Sequence, residues 1–394
     1  MKFYLTGLLL IVFVCASFAQ KVNVKKAFEA AGKQTQILLK EAEQASKGPE
    51  SDLVSPRTVE NGKLKLVRSR DWTSGFFPGV LWYMYEYSND PKWLEEAKKY
   101  TANLEKEQFN TGTHDLGFMI YCSFGNGLRL TKNEEYRKVI VQAAKSLSTR
   151  FNLVAGVIRS WDHNRDKWEF PVIIDNMMNL ELLFEATKFT GDSSFYKIAV
   201  AHADNTLKNH FRDDFSSFHV VDYDTQNGAV RGRATHQGYS KESSWARGQA
   251  WALYGYILCY RETKNEAYLK QAEGIANYIL NHPKLPSDMV PFWDYNDPAI
   301  PNVSKDASAA AITASALYEL RTYSKNGKSY TNAANKILKS LSENFINKPG
   351  ENKGFILDHS TGHKPNNSEI DVPINYADYY YLEALLRYQE MKKG

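Results

Sequence analysis

The chain has 394 residues, 43% hydrophobic and 24% charged, enough length and apolar content for a large folded core. That composition excludes a disordered tail, a collagen-like chain and a small disulfide scaffold. The 49 basic and 45 acidic residues leave a net charge of +4, spread along the chain without basic runs, which speaks against nucleic acid as a partner. At the N-terminus, Lys2 precedes the apolar run Leu5 to Val14, and Ser17-Phe18-Ala19 has the small-x-small form of a signal-peptidase site. Residues 1–19 therefore read as a signal peptide and 20–394 as a single mature domain, exported to the periplasm or secreted. The apolar run is shorter than the roughly 20 residues that span a bilayer, so no membrane attachment is expected after cleavage. Cys15 follows the bulky Val14, a poor fit to a lipoprotein site. Cys122 and Cys259 sit in apolar helical stretches and read as buried free thiols.

From there the chain reads as helix after helix. One pattern recurs: a polar start, an aromatic, then an alanine four or seven residues on. It appears as Asp90…Trp93…Ala97, Glu134…Tyr136…Ala143, Asp192…Phe195…Ala199, Glu266…Tyr268…Ala272 and Ser329…Tyr330…Ala334, with Val22 to Ala45 as a degenerate sixth copy. These are amphipathic and lysine-rich, as an exposed outer layer should be. Between them lie six helices apolar on all sides, predicted over Thr73–Tyr87, Leu116–Thr131, Asn176–Thr190, Ser244–Thr263, Ala307–Ser324 and Tyr376–Met391. Strand-like alternation is scarce, apart from a piece around Phe218 to Tyr223. Six outer and six inner helices in alternation predict an all-α fold, an (α/α)6 barrel; an open superhelix of hairpins is the alternative.

Each inner helix is entered through a polar or aromatic cluster. The clusters are Arg70-Asp71-Trp72-Thr73, Thr113-His114-Asp115, Asp175-Asn176, Ser243-Ser244-Trp245-Ala246-Arg247, Asp306-Ala307-Ser308 and Asn375-Tyr376-Ala377-Asp378. In an alternating barrel these six starts share one end, so the clusters converge on one mouth. Any single Asp, Ser or Thr there reads equally as a helix cap. Asp115 and Asp175 both precede apolar runs. A carboxyl against apolar walls and near a second carboxyl stays protonated to higher pH and can act as an acid. Trp72, Trp161, Trp245 and Trp251 can stack on a sugar face or pack a core. Arg247 can clamp a carboxylate. His359 and His363 are four apart, but in a Gly/Pro/Asn-rich loop that makes a poor metal site. No phosphate loop, nucleophile elbow or Cys/His zinc spacing is present.

At these residues the chain resembles the unsaturated glucuronyl hydrolases, glycoside hydrolase family 88. The stretches that carry the resemblance are Arg70-Asp-Trp-Thr-Ser-Gly-Phe-Phe-Pro-Gly79, His114-Asp-Leu-Gly-Phe118, Ile174-Asp-Asn-Met-Met-Asn179, Thr235-His-Gln-Gly-Tyr239 and Ser244-Trp-Ala-Arg-Gly-Gln-Ala-Trp251. The resemblance implies an (α/α)6 barrel and an unusual hydrolysis, in which a 4,5-unsaturated uronic acid at the non-reducing end of a lyase product is hydrated at its vinyl ether. It implies Asp175 as acid/base and Asp115 as second carboxylate. It also implies a uronate subsite of His219, Gln237, Arg247 and Trp251, aromatic walls from Trp72, Phe76, Trp161 and Trp245, and His114 as a further substrate-binding residue. No metal or organic cofactor is implied, and the partner is a small unsaturated oligosaccharide. Relatives that accept sulfated sugars carry a Ser-x-x-Ser-x-Lys loop; here His359-Ser-Thr-Gly-His-Lys364 stands in its place, keeping Lys364 and offering His359 and His363 as further sulfate contacts. Unsaturated rhamnogalacturonyl hydrolysis of pectin fragments, inverting glycoside hydrolysis and non-catalytic carbohydrate binding are the alternative readings.

Overall fold

A computed structural model describes residues 21–46 and 52–393. The predicted signal peptide lies outside the described residues. Among the described residues, twelve α-helices alternate between an outer and an inner layer. In chain order, outer then inner, they are α1 (Val24–Ala45) and α2 (Phe76–Ser88), then α3 (Pro91–Ala102) and α4 (Asn126–Thr131). Next come α5 (Glu134–Ser148) and α6 (Leu180–Thr190), then α7 (Ser193–Asn209) and α8 (Ala246–Thr263). The last pairs are α9 (Glu266–Asn281) and α10 (Ala307–Leu320), then α11 (Gly327–Ser340) and α12 (Asn375–Lys393). Outer helices bury one stripe: in α1 it comprises Ala27, Phe28, Ala31, Leu38 and Ala42. Inner helices are buried on all sides over their N-terminal portions, and in α8 every residue from Ala246 to Tyr260 is buried.

The ring closes because α12 packs on both α10 and α2. Gly79 permits that closure, since a Cβ there would meet the Tyr379 ring of α12 at 2.4 Å. The open superhelix is thereby excluded.

Two inner helices do not begin as the sequence predicts. The second is π-helical from Gly117 to Gly125 before α4, and Asn176 lies in a 3-10 turn, Ile174–Asn179, that precedes α6. The two irregular starts lock together: Asn179 Oδ1 accepts the Phe118 N–H at 3.0 Å.

Four inner-to-outer links are alike. Ser88-Asn89-Asp90, Thr131-Lys132-Asn133, Thr190-Gly191-Asp192 and Thr263-Lys264-Asn265 each place one left-handed residue, with φ between 55° and 74°, before an Asx side chain that caps the outer helix. In each, the hydroxyl accepts the N–H of the capping residue. Tight links at this end leave the long connections at the other, where the inner helices start.

Strands are more numerous than the sequence suggests, and they lie in those long connections. The described residues hold nine: β1 (Leu53–Glu60), β2 (Lys63–Arg68), β3 (Phe151–Asn152), β4 (Val157–Ile158), β5 (Pro171–Ile173), β6 (Val220–Tyr223), β7 (Val230–Ala234), β8 (Ser360–His363) and β9 (Ser368–Val372). They form three antiparallel pairs and the sheet β5-β6-β7. Only β6 was anticipated. Cys122 and Cys259 are buried and unbridged. No helix among the described residues is long and apolar enough to cross a membrane.

Candidate active site

A cavity of about 430 Å3 opens at the end where the inner helices start, within the range of small-molecule sites. Asp115 and Asp175 both line it, with Trp72, His114, Trp161, Gln237 and Arg247. Asp175 opens the 3-10 turn behind β5, anchored by the Ile174 N–H donating to the His219 carbonyl at 3.0 Å. The residue is 6% exposed, and Oδ2 has no hydrogen-bond partner. Burial pushes this carboxyl up to about 7; Arg247 pulls it down and Asp115 pushes it further up.

His219 Nε2 lies 3.6 Å from Asp175 Oδ2. Its Nδ1 accepts the backbone N–H groups of His236 and Gln237 at 3.0 and 3.1 Å, so in the neutral ring the hydrogen sits on Nε2 and faces Asp175. Burial, with His236, His363 and Arg247 nearby, holds His219 well below its ordinary range and keeps it neutral.

Asp115 is fixed from two sides. Thr113 Oγ1 donates to its Oδ2 at 2.9 Å, and His114 Nε2 stands 3.2 Å from Oδ1. Arg247 is fully buried and largely committed: Nη1 donates to Asp306 Oδ2 at 2.8 Å and Nη2 to the Gly362 carbonyl at 2.6 Å, with the guanidinium 4.4 Å from the Trp245 ring. Asp306 also accepts the Ser308 N–H that starts α10, so here the cap reading and the site reading both hold.

Several expected residues stand behind the cavity wall. Phe76 is fully buried beneath Trp72, ring centroids 5.9 Å apart. Trp251 is buried under the floor against Phe118. Trp245 is buried between His219 and Arg247. These three are supports rather than stacking surfaces, because the ring packing of the inner helices encloses them. Lys364 is elsewhere: it pairs with Asp297 at 3.6 Å, lies 5.1 Å from the Trp293 ring and faces a neighbouring cleft with His359. That carboxylate and that indole draw it away, which corrects its placement in the substrate site. Of the substituted loop, only Gly362 and His363 reach the cavity.

The sequence reading missed the rim. Arg57 of β1 makes two hydrogen bonds to Glu369 of β9, at 2.6 and 2.9 Å, and two to Asp71, at 2.9 and 3.2 Å, joining two hairpins across the mouth. Tyr376 stacks on Trp72 at 5.1 Å. His163 stacks on Trp161, and His236 contacts His363 at 4.7 Å between ring centroids. Tyr376 lay in a cluster already noted; Arg57 and Glu369 are isolated charges without a local motif. Among the described residues no group of three or more His, Cys, Asp or Glu is arranged to hold a metal ion.

The model of Glycosyl Hydrolase Family 88 matches residues 54–394. The unsaturated glucuronyl hydrolase of Formosa agariphila is 49% identical over 374 residues, covering 94% of this chain and 92% of that protein. A solved structure of an unsaturated glucuronyl hydrolase specific for heparin matches with a TM-score of 0.88 and 48% identity, over 94% of this chain and 98% of its own. The glycosaminoglycan-degrading unsaturated glucuronyl hydrolase of Bacillus sp. GL1 matches with a TM-score of 0.86 and 31% identity, over 93% and 97%.

Proposed function

Since this chain belongs to glycosyl hydrolase family 88, we propose that Asp175 performs the proton transfers of its reaction and that the cavity beside it holds an unsaturated uronate. The enzyme removes the 4,5-unsaturated uronic acid from glycosaminoglycan-derived oligosaccharides. The C4=C5 bond of that sugar is a vinyl ether. Protonation at C4 is favoured because the ring oxygen stabilises the cation that develops at C5. Asp175, carrying its proton near neutral pH, supplies it, and the resulting carboxylate takes a proton from the water that adds to C5. The hemiketal then opens by breaking the bond between C5 and the ring oxygen, and the hemiacetal left at C1 releases the aglycone alcohol. One water is consumed, and Asp175 ends protonated as it began.

Binding follows from the donors around the cavity. The second N–H of the Gln237 amide and the remaining Nη2–H of Arg247, both on the cavity wall, receive the uronate, with Trp72 and Trp161 flanking the sugar; His219, expected beside them, stands buried behind the wall with its Nε2–H turned to Asp175. Asp115, held by Thr113 and His114, is the second carboxylate. The observation that carries this reading is the buried Asp175 carboxyl, with one oxygen unpartnered and an acidity near neutrality.

The heparin-specific relative at 48% identity makes a heparin-type disaccharide the preferred substrate in this reading. Export to the periplasm is proposed on the N-terminal sequence alone. The deciding experiment follows the ultraviolet absorbance of the conjugated double bond with unsaturated heparin, chondroitin, hyaluronan and rhamnogalacturonan disaccharides. Loss of absorbance fastest with the heparin fragment is expected; loss only with the pectin fragment would refute the glycosaminoglycan substrate. Asp175→Asn should retain binding and lose turnover.

A further inference from the structure

Two sides of the cavity meet at Gly362 of β8, which is buried and lines the cavity. Its carbonyl accepts from Gln237 Nε2 at 3.2 Å and from Arg247 Nη2 at 2.6 Å. The preceding carbonyl, of Thr361, accepts from Arg247 Nη1 at 2.5 Å. An amide from a loop and a guanidinium from α8 thus take their positions from one stretch of β8 backbone. Across from that stretch stands the rim. The ladder of β8 and β9 pairs Thr361 with Ile370 and His363 with Ser368, which sets Gly362 against Glu369. A Cβ on Gly362 would lie 2.4 Å from Glu369 Oε2 and 2.7 Å from Glu369 Cβ, closer than non-bonded atoms pack. Both neighbours are held in place. Arg57 Nε and Nη2 donate to the two carboxylate oxygens of Glu369, at 2.6 and 2.9 Å. On its other side β8 is tied to the start of α10. Thr361 Oγ1 donates to the Lys305 carbonyl at 2.8 Å, and the His359 carbonyl accepts the Ala307 N–H at 3.0 Å.

We propose that Gly362 is a positioning residue for substrate binding: its carbonyl aims Gln237 and Arg247, and its missing side chain admits Glu369, which holds Arg57 in the cavity wall. Because β8 is tied to α10, a side chain at position 362 displaces Glu369 and takes from Arg57 one of its two carboxylate partners. The two halves of the wall, Gln237 with Arg247 and Arg57 with Glu369, are thereby spaced by a single glycine. This rests on the uronate lying against Gln237 and Arg247.

The first test needs no substrate. A crystal structure of Gly362→Ala should show Glu369 turned away and Arg57 left with Asp71; an intact Arg57–Glu369 pair overturns the proposal. The second test is kinetic. Gly362→Ala should raise KM for the unsaturated disaccharide about tenfold with kcat changed less, because the wall binds and does not react. Glu369→Ala, which removes the obstructing side chain, should raise KM by a similar factor. The double variant should match Glu369→Ala to within about twofold, since the added methyl then has room. Two KM effects that multiply would overturn the proposal. So would a merely structural role, in which Gly362→Ala melts at lower temperature and keeps its KM. If Gly362→Ala alone does not fold, the double variant should; a double variant that is also unfolded overturns the proposal as well. The crystal structure reads the Arg57–Glu369 pair without substrate, so its failure is distinct from failure of the uronate placement and of the Asp175 assignment, which Asp175→Asn tests.

Discussion

In the proposed mechanism Asp175 trades stability for chemistry. Its carboxyl is raised to about 7 first by burial, so it is protonated, and able to donate, at and below neutral pH. As pH rises through 7 the proton is lost, and kcat should fall with a single basic limb near that value. The same shift sets the sign for folding. A carboxyl whose acidity is weakened on folding contributes stability below its unfolded value of 3.8, and loses that contribution as pH rises toward 7. The buried carboxylate therefore costs on the order of 4 kcal/mol above neutrality. Asp175→Asn should unfold at a higher temperature than the wild type at pH 8, with the gap closing toward pH 4, while its turnover falls by orders of magnitude. Equal melting temperatures at both pH values would show that the carboxyl is not strained by burial. The burial of Asp175 was legible because it precedes an apolar run. The placement of Lys364 was not: Asp297 and Trp293, which hold it, lie some 70 residues away in sequence.

At the scale of elements, the helices were legible and the hairpins were not. Periodicity separates an apolar circumference from an apolar stripe over a dozen or more residues, and tertiary packing agrees with that division. The four Ser/Thr-x-Asx links were legible too, once their shared geometry is known: a left-handed residue and a cap in succession. The rim hairpins bury polar residues, such as Ser55 and Thr58 of β1 and Ser360 and Thr361 of β8, so no alternation of apolar and polar residues marks them in the sequence. One signal was nonetheless present. Asn61-Gly62, with φ of 51° and 73°, makes the tight turn between β1 and β2 that this dipeptide favours. The π-helical start at Gly117 has no local signature, because it depends on Asn179 of the neighbouring inner element, 61 residues on in sequence. The rim also makes a prediction. Arg57 is held by Glu369 and Asp71, and its guanidinium forms part of the cavity wall. Glu369→Gln removes one charge-assisted pair and loosens the junction of the two hairpins. KM should rise about tenfold, equivalent to roughly 1.4 kcal/mol, with kcat changed less. An unchanged KM in the absorbance assay would mean that the rim does not order the substrate.

The whole molecule divides its labour between the two ends of the inner ring. The long connections stand at one end and carry the cavity, while the opposite half is tied by a single carboxylate. Glu383 of α12 accepts hydrogen bonds from Tyr83 of α2 and Tyr254 of α8, both at 3.0 Å, and from Ser315 of α10, with Arg387 3.7 Å away. Four of the six inner elements thus meet at one side chain, and α2 and α12, the first and last of them, are among the four. Closing a ring through its first and last inner helices brings together residues 300 apart in sequence, so the closure entropy is large and must be offset by contacts formed at the seam. Removing Glu383 leaves the Tyr and Ser hydroxyls and Arg387 short of an acceptor in a mostly buried site. Glu383→Ala should lower unfolding free energy by roughly 3 kcal/mol, read as a lower denaturant midpoint with an unchanged slope. Its kcat at low temperature should stay near the wild-type value, because none of these partners lines the catalytic cavity. A large fall in kcat with no change in midpoint would reverse the inference, placing Glu383 in communication with the mouth rather than in the closure of the ring.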